Sequence, residues 1–487
     1  MLHVSLIICW AVLHANDLAE LPRPLGLAAP IALALAILPQ LVIAGGAASL
    51  TTLASRRLAR AGRTDWLAAS DIVNALARIG VVGWHIVAVV LLQWQASIRA
   101  VTGGLSLVDQ AIALLPVIFA LLLIDAGSYP VERRIREAAL VRALDEGRPV
   151  HAVPSLPRWL TTRFRHGMAT VLVPLFLIAA WVEGLDLAAS GLWPTQEDEP
   201  AWAPWALSGM QLIGAVGALA LTPLLLRRVW DTVRIQPGEL RERLVRVCDG
   251  PNGRVGISAI LIWRTSGQIA NAAVLGMLPG IRYIVLTDKL IESLPEPELE
   301  AVVAHEVAHV KRHHIVWLGA GVLGCVGLAG SGLALAVRAV APGLEHTVLS
   351  QATISIAALT LTLVFLGYIS RRFERQADAF AARHLSRLES NGPGPLSESA
   401  VSHVAGALRR VARLNGSPLR RWGWRHGSIA ERIGVLTRAV GIDDTRLPAD
   451  RAARRVQALI VAIFVTGTGL TIADLATYPE TNESIAP

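Results

Sequence analysis

Long apolar runs dominate the pattern of hydrophobic and polar positions along this chain. A helix needs roughly 20 mostly apolar residues to cross a membrane. Runs of that kind lie near residues 27–50, 79–95, 108–128, 168–187, 206–226, 315–337, 350–369 and 456–474. A weaker ninth run at 2–15 is short for a full span, and it lacks the basic start of a signal peptide, so an uncleaved anchor is the better interpretation. The pattern predicts a multi-spanning α-helical membrane protein with nine spans.

Composition supports this class. The chain has 487 residues, of which 53% are hydrophobic and 17% are charged, whereas soluble domains carry about 25% charged residues. This argues strongly against a water-soluble globular enzyme, and the high apolar content argues against disorder. The three cysteines lie far apart in the sequence and share no metal-ligand spacing, so neither a disulfide framework nor a cysteine metal site is expected.

The net charge of +8 comes from arginines that collect in alternate loops. They cluster in 51–78 and 129–167 and directly after the spans that end at 226 and 369, while the other loops are poor in arginine or acidic, as at Glu197 and Glu345, and the tail carries Glu480. Basic loops stay on the cytoplasmic side. We therefore expect an integral protein of a bacterial inner membrane with a cytoplasmic N-terminus. No nucleic-acid partner is expected, because the arginines are spread over several loops.

Two polar segments interrupt the apolar pattern. In the first, about 228–313, strands are predicted at 255–263, 268–275 and 282–287, followed by a helix that begins near Pro295. The second, 371–455, is mainly helical. These segments predict a membrane region of about six spans over 1–227, a domain over 228–455 that a membrane hairpin at 315–369 interrupts, and a last span with a short acidic tail over 456–487.

The first polar segment contains a pattern typical of a metal site. His305 and His309 are four residues apart, so they lie on one helical face and can bind one ion, and Glu306 lies beside them as a candidate general base. Glu374, after the eighth span, is the candidate third ligand. Asp378 follows one turn later, where it could orient a ligand histidine. Two imidazoles, one carboxylate and an open position predict a catalytic zinc site with one Zn²⁺ per chain.

Two neighbouring histidines are weaker candidates. On a continuous helix His313 would lie about 12 Å along the axis from His305, which is too far for a shared ion. We therefore predict that His313 and His314 lie at the membrane interface, together with Lys311 and Arg312.

The order of three motifs resembles that of the M48 family of zinc peptidases. These motifs are the run from Asn271 to Gly276, the run from Arg282 to Leu290, and the His305–His309 helix. The resemblance implies an embedded, mainly helical gluzincin peptidase domain with a small β-sheet, in which Asn271, Ala272 and Gly276 belong to an edge strand that pairs with a substrate peptide. It also implies an oxyanion-stabilising role for His426, although Gly427 replaces the proline usual after that histidine.

These observations predict a zinc metalloendopeptidase that hydrolyses peptide bonds of membrane or membrane-delivered proteins at the cytoplasmic face. Its expected partners are protein or peptide substrates and the lipid bilayer. Two alternatives stay open: a sensor peptidase of the neighbouring M56 type, and a transporter or receptor-like membrane protein whose zinc module is structural or vestigial. The large region before the zinc helix motivates the second alternative. The sequence does not determine the oligomeric state.

Overall fold

The computed structural model describes residues 2–19, 29–61, 65–103, 105–145, 147, 150–193, 195, 199–200, 202–248, 255–344 and 347–477. The chain divides into two compact units. The first comprises Met1–Thr232 with Arg264–Gly267, and the second comprises Val233–Trp263 with Gln268–Pro487. Several loop and tail residues used above for the orientation, Glu197, Glu345 and the tail from 478, lie outside the described residues.

The described part of the first unit consists mainly of helices. Its helices are α1 (Leu2–Ala19), α2 (Ala29–Ala61), α3 (Asp65–Val90), α4 (Trp94–Thr102), α5 (Ser106–Asp145), α6 (Leu156–Arg163), a π-helical turn at Phe164–Ala169, α7 (Thr170–Leu192) and α8 (Ala203–Val229). Helix α2 packs against both α3 and α5. Buried aliphatic side chains such as Leu114, Leu121 and Val81 form the core between them.

Among the described residues, eight helices are long and apolar enough to cross a membrane: Pro30–Arg57, Ala68–Val90, Ser106–Arg142, Leu156–Leu192, Ala203–Val229, His314–Val340, Thr353–Ser390 and Pro448–Asp474. They coincide with the eight stronger spans predicted from the sequence. The weak span at 2–15 is helical, as α1, but it does not belong to this set. The multi-spanning helical fold class is therefore confirmed, with eight candidate spans in place of nine.

Two ion pairs stabilise the interior of the first unit. The Asp125 carboxylate on α5 is buried, and Oδ1 lies 2.5 Å from Nη2 of Arg78 on α3. Asp109, near the start of α5, is also buried, and Oδ2 lies 3.1 Å from Nε of Arg99 on α4. Because a buried carboxylate costs several kcal/mol without a partner, these pairs account for charges inside an otherwise apolar bundle.

The second unit combines a small sheet with helices. Its elements are β1 (Thr232–Arg234), α9 (Glu239–Cys248), β2 (Ala259–Trp263), β3 (Ala272–Leu275), β4 (Tyr283–Thr287), α10 (Asp288–Ser293), α11 (Glu296–Lys311), α12 (His314–Val340), α13 (Val348–Ser390), α14 (Glu398–Leu414), α15 (Ile429–Thr437) and α16 (Pro448–Thr477). Leu286, Leu290, Val303 and Val307 are buried in a core shared by the sheet, α10 and α11.

The sheet has the strand order β1-β2-β4-β3, with β2 parallel and β3 antiparallel to β4. Strand β1 is an addition to the three predicted strands, and β2 and β3 are shorter than predicted. Residues 268–270 lie outside the strand. At Ala270 the Asn415 side chain both accepts a hydrogen bond from the N–H, at 3.0 Å, and donates one to the carbonyl, at 2.8 Å. A side chain thus replaces the strand partner.

Helices α12 and α16 cross closely through glycines. A Cβ at Gly324 would lie 2.6 Å from the Phe464 Cα, and one at Gly467 would lie 2.3 Å from the Gly324 carbonyl oxygen. Small residues at such crossings let membrane helices pack backbone to backbone. The crossing holds α16 against the helix that follows directly on α11.

Candidate metal centre

Helix α11 carries the two histidines predicted as ligands. Pro297 occupies its first turn, where a missing N–H costs nothing. Leu299, Val303 and Val307 are almost completely buried, so one face of the helix is fixed in the core. The neighbouring face presents His305, Glu306 and His309 to a cavity of about 520 Å³.

Three of the predicted ligands converge. His305 Nε2 lies 3.3 Å from His309 Nε2. Glu374 on α13 approaches from the other side, with Oε2 3.6 Å from His305 Nε2 and Oε1 3.9 Å from His309 Nε2. These three residues form a group able to hold a metal ion.

The chemistry of the donors fits zinc. Ligand bonds of about 2.0–2.2 Å in tetrahedral geometry put neighbouring donor atoms about 3.4 Å apart, close to the three distances here. Two imidazoles and one carboxylate leave a fourth position open, as in catalytic zinc sites. A group of this composition is unusual for a structural site, in which protein ligands fill all four positions.

Asp378 lies beside the first histidine, as the spacing predicts. Its Oδ1 lies 3.0 Å from His305 Nδ1, so the imidazole donates from Nδ1 and keeps the lone pair of Nε2 for a metal. Burial alone would lower the pKa of His305, but the hydrogen bond to Asp378 and the charges of Asp378 and Glu374 outweigh burial and raise the pKa above its ordinary value.

Arg432 on α15 is a residue to which the sequence analysis assigns no role. The buried guanidinium binds both carboxylate oxygens of Asp378, Nε at 2.8 Å and Nη2 at 2.6 Å, and its Nη1 lies 3.0 Å from Glu374 Oε2. Burial would lower the pKa of Arg432, but the charge of Asp378 dominates and raises it. The sequence contained a signal for this residue. A buried aspartate requires a cation, and Arg432 lies close in the sequence to His426, which the sequence analysis had selected.

His314 is the second residue to which the sequence analysis assigns no role in the site. It is completely buried, and its Nδ1 lies 2.9 Å from His309 Nδ1, so it packs against the proposed ligands. The premise of a continuous helix fails at His313, which has a positive φ of 53° and separates α11 from α12. His313 itself is exposed.

A chain of hydrogen bonds determines which nitrogen of His309 is free. The Gln376 amide donates to Asp450 Oδ1 at 2.8 Å, so its Oε1 faces His314 Nε2 at 3.0 Å and accepts from it. His314 Nδ1 must then accept the proton of His309 Nδ1, which leaves the lone pair of His309 Nε2 for a metal. Burial lowers the pKa of His309 to about 3, which favours the neutral, metal-binding imidazole.

Glu306 has the environment of a general base. Burial raises its pKa to about 7, although the charge of His305 and the nearby backbone N–H of Val274 lower it. A carboxyl group with a pKa near the working pH both accepts and returns a proton efficiently. Glu306 lines the cavity beside His305, and its role as general base stays a prediction.

Strand β3 forms one edge of the sheet and lines the same cavity. The Asn271 carbonyl accepts from Thr287 N at 3.0 Å, so alternate residues from Asn271 on face β4. Ala272 and Val274 consequently direct their backbone groups to the open edge. Gly276 lies beyond the strand end at φ 103°, and a Cβ there would lie 2.4 Å from the Ile281 carbonyl oxygen, so its role is in the turn to β4.

His426 lies on the loop before α15 and also lines the cavity. Its side chain is 57% exposed, and Nδ1 lies 2.9 Å from Glu374 Oε1. Gly427 has φ 69° and exchanges two backbone hydrogen bonds with Gly423. Glycine adopts this left-handed conformation at no cost, whereas proline could not, so the departure from the family pattern has a local reason.

Comparisons with known proteins agree with this arrangement. Residues 254–437 match the sequence model of peptidase family M48. The match covers less than half of the chain, and it confirms the resemblance inferred from the motifs.

The chain is also similar to proteases of known name. It is 33% identical to a Protease HtpX homolog of Trichormus variabilis over 114 residues, which is 22% of this chain and 39% of that one. It is 28% identical to Protease HtpX of Legionella pneumophila over 200 residues, which is 38% of this chain and 71% of that one. A further HtpX homolog, of Dictyoglomus turgidum, is 27% identical over 37% of this chain and 56% of its own. Thus the chain spans roughly two-fifths to just over half of two of these relatives.

The crystal structure of S. mikatae Ste24p covers 82% of this chain and 99% of its own, with 17% identity and a TM-score of 0.44.

Proposed function

We propose that this chain is a membrane-integrated, zinc-dependent endopeptidase that hydrolyses peptide bonds of membrane or membrane-delivered proteins. The observation that carries the proposal is the convergence of three donor groups, a buried glutamate and an open strand edge on one cavity. Each feature alone has a structural explanation. Together they supply a metal-binding site, a base and a peptide-binding surface, which is what metal-assisted peptide hydrolysis requires.

The substrate is proposed to add a strand to β3. The open edge at Ala272 and Val274 offers backbone donors and acceptors to an extended peptide. The cavity continues between α11 and α14, where Val302, Val404 and Leu408 line it. An apolar substrate side chain near the cleaved bond fits such walls.

The residues around the metal position have separate tasks. His305, His309 and Glu374 would hold Zn²⁺, which when bound supplies Lewis-acid chemistry by polarising the scissile carbonyl and promoting deprotonation of water. Glu306 accepts the proton of the attacking water and returns it to the leaving amine. His426, which lines the cavity, is proposed to donate a hydrogen bond to the developing oxyanion.

The location of the site suggests where substrates come from. Helix α12, a candidate span, begins at His314, five residues after His309. The site carboxylates on α13 follow the apolar part of α13. We therefore propose cleavage at the membrane surface. The arginine-rich loops of the sequence favour the cytoplasmic face of a bacterial inner membrane.

Substitution of the proposed base tests the mechanism. Glu306→Gln is expected to keep zinc, measured by elemental analysis, and to lose roughly 10²- to 10⁴-fold in cleavage rate of a membrane-protein substrate in detergent. Glu296→Gln is the matched control, since it changes an exposed carboxylate on the same helix. Full activity of Glu306→Gln would refute the mechanism. Zinc binding by a wild-type chain that cleaves nothing would favour a structural module.

The proposed orientation has its own test. The three native cysteines are buried, so a Glu398→Cys variant provides one exposed thiol at the start of α14. A membrane-impermeant maleimide is expected to label it in inside-out vesicles and not in intact spheroplasts. The opposite pattern would overturn the cytoplasmic orientation and leave the mechanism untouched.

A further inference from the structure

A second cavity in the same unit lies outside the peptidase chemistry described above. It has a volume of about 310 Å³, and we call it the arginine cavity. Four arginines and two aspartates supply its charged lining: Arg312, Arg383, Arg387, Arg454, Asp444 and Asp450.

The arginine cavity carries an excess of positive charge. Asp450 pairs with Arg383, and Asp444 Oδ2 lies 2.6 Å from Arg387 Nε. Arg312 approaches Asp450 less closely, with Nη2 at 3.8 Å from Oδ1. In the part of the chain that the structure describes, no carboxylate pairs with Arg454. Two guanidinium groups therefore remain in excess over the carboxylates.

Buried donors of the lining also lack partners. Arg383 is 7% exposed, and its Nε is buried without a hydrogen-bond partner among the described residues. The same holds for Nε of Arg312. Unsatisfied buried donors are rare and cost about 1–3 kcal/mol each, more when charged. Asp444 Oδ1, also in the lining, is likewise buried without a partner among the described residues. The excess of arginines over aspartates therefore selects an anion as the ligand.

The position of the cavity selects the kind of anion. Arg312 lies two residues before α12, and Arg454 lies on α16, immediately before Val456 and Ile460, which pack in an apolar cluster with Ile369 of α13. All three helices contain candidate spans. The end of the cavity at Arg312 and Arg454, next to the apolar parts of these helices, is thus at the level where phosphate headgroups of a bilayer lie. Basic pockets between spans at that level suit anionic headgroups.

We propose that the arginine cavity binds a phosphate group, carried by an anionic lipid headgroup. Guanidinium groups bind phosphate oxygens through paired, charge-assisted hydrogen bonds. Free phosphate offers the same chemistry without the acyl chains, so the source must be distinguished by experiment. The proposal does not depend on the peptidase activity.

Binding is measured with the full chain, purified in detergent and stripped of lipid. Native mass spectrometry follows titration with phosphatidylglycerol, with phosphatidylcholine and with inorganic phosphate. Arg454→Gln is the test variant, because its side chain is exposed and holds no ion pair in the described chain. Arg455→Gln is the matched control, an exposed arginine of the same helix that does not line the cavity.

Phosphatidylglycerol is expected to bind more tightly than phosphatidylcholine. Arg454→Gln is expected to weaken phosphatidylglycerol binding roughly fivefold, and Arg455→Gln is expected to leave it unchanged. Replacing both Arg312 and Arg454 by glutamine is expected to weaken phosphatidylglycerol binding further. Saturable binding of inorganic phosphate that displaces the lipid, with the same dependence on Arg454, would assign the site to free phosphate. Equal effects of the two single variants, or no binding of either ligand, would overturn the proposal.

Discussion

Replacing Arg432 by glutamine tests the arrangement of charge behind the metal position. The side chain makes three contacts with two buried carboxylates, two to Asp378 and one to Glu374. Without it Asp378 keeps His305 as its partner at 3.0 Å, but its charge is no longer balanced. Removal of one partner of a buried ion pair costs about 3–5 kcal/mol.

That cost predicts a large fall in the thermal midpoint. For a unit of this size each kcal/mol corresponds to about 2–4 °C, so Arg432→Gln is expected to lower the midpoint by roughly 6–20 °C. Zinc affinity should fall as well, by about 10- to 100-fold, because His305 loses a firmly held orienting carboxylate.

The matched control is Arg375→Gln. This residue is also an arginine of the peptidase domain, but its pair with Glu431 is half-exposed, with Glu431 46% accessible, and such pairs contribute about 0–1 kcal/mol. Thermal unfolding in detergent is followed with a chelator present, so that bound metal does not contribute to stability. If the two variants lost equal stability, the reasoning from buried charge would be wrong.

Three further substitutions test local features. His314→Phe is expected to weaken zinc binding about 10- to 100-fold, because His309 loses its hydrogen bond. His313→Phe, at an exposed position, should leave zinc binding unchanged. Competition with a fluorescent chelator measures the zinc affinity of both variants. Gly276→Ala should cost about 2 kcal/mol more in unfolding than Gly280→Ala, since both have positive φ but a Cβ clashes only at Gly276. Gly324→Leu should destabilise the α12–α16 crossing and raise protease sensitivity, whereas Gly330→Leu, with open space around it, should not. Equal effects within any of these pairs would contradict the corresponding contact.

The predicted elements differ in accuracy for physical reasons. Spans come from long apolar runs, a local property that needs no partner, and eight of nine correspond to candidate membrane helices. Strand ends depend on which backbone groups find a partner. Residues 268–271 were predicted as strand, but Ala270 bonds to the Asn415 side chain, 145 residues away.

The sequence alone determined the features that follow from helical periodicity and short motifs. His305, Glu306 and His309 share a helix, and Asp378 follows Glu374 by one turn, because spacing of three or four residues defines a face. The tertiary structure decided which charges and hydrogen bonds complete the site. Arg432 meets Asp378 across 54 residues, and His314 turns inward because the chain breaks at His313. The arginine cavity draws on α13, α16 and two connecting segments. Such contacts depend on how separate elements pack, and no local pattern encodes them.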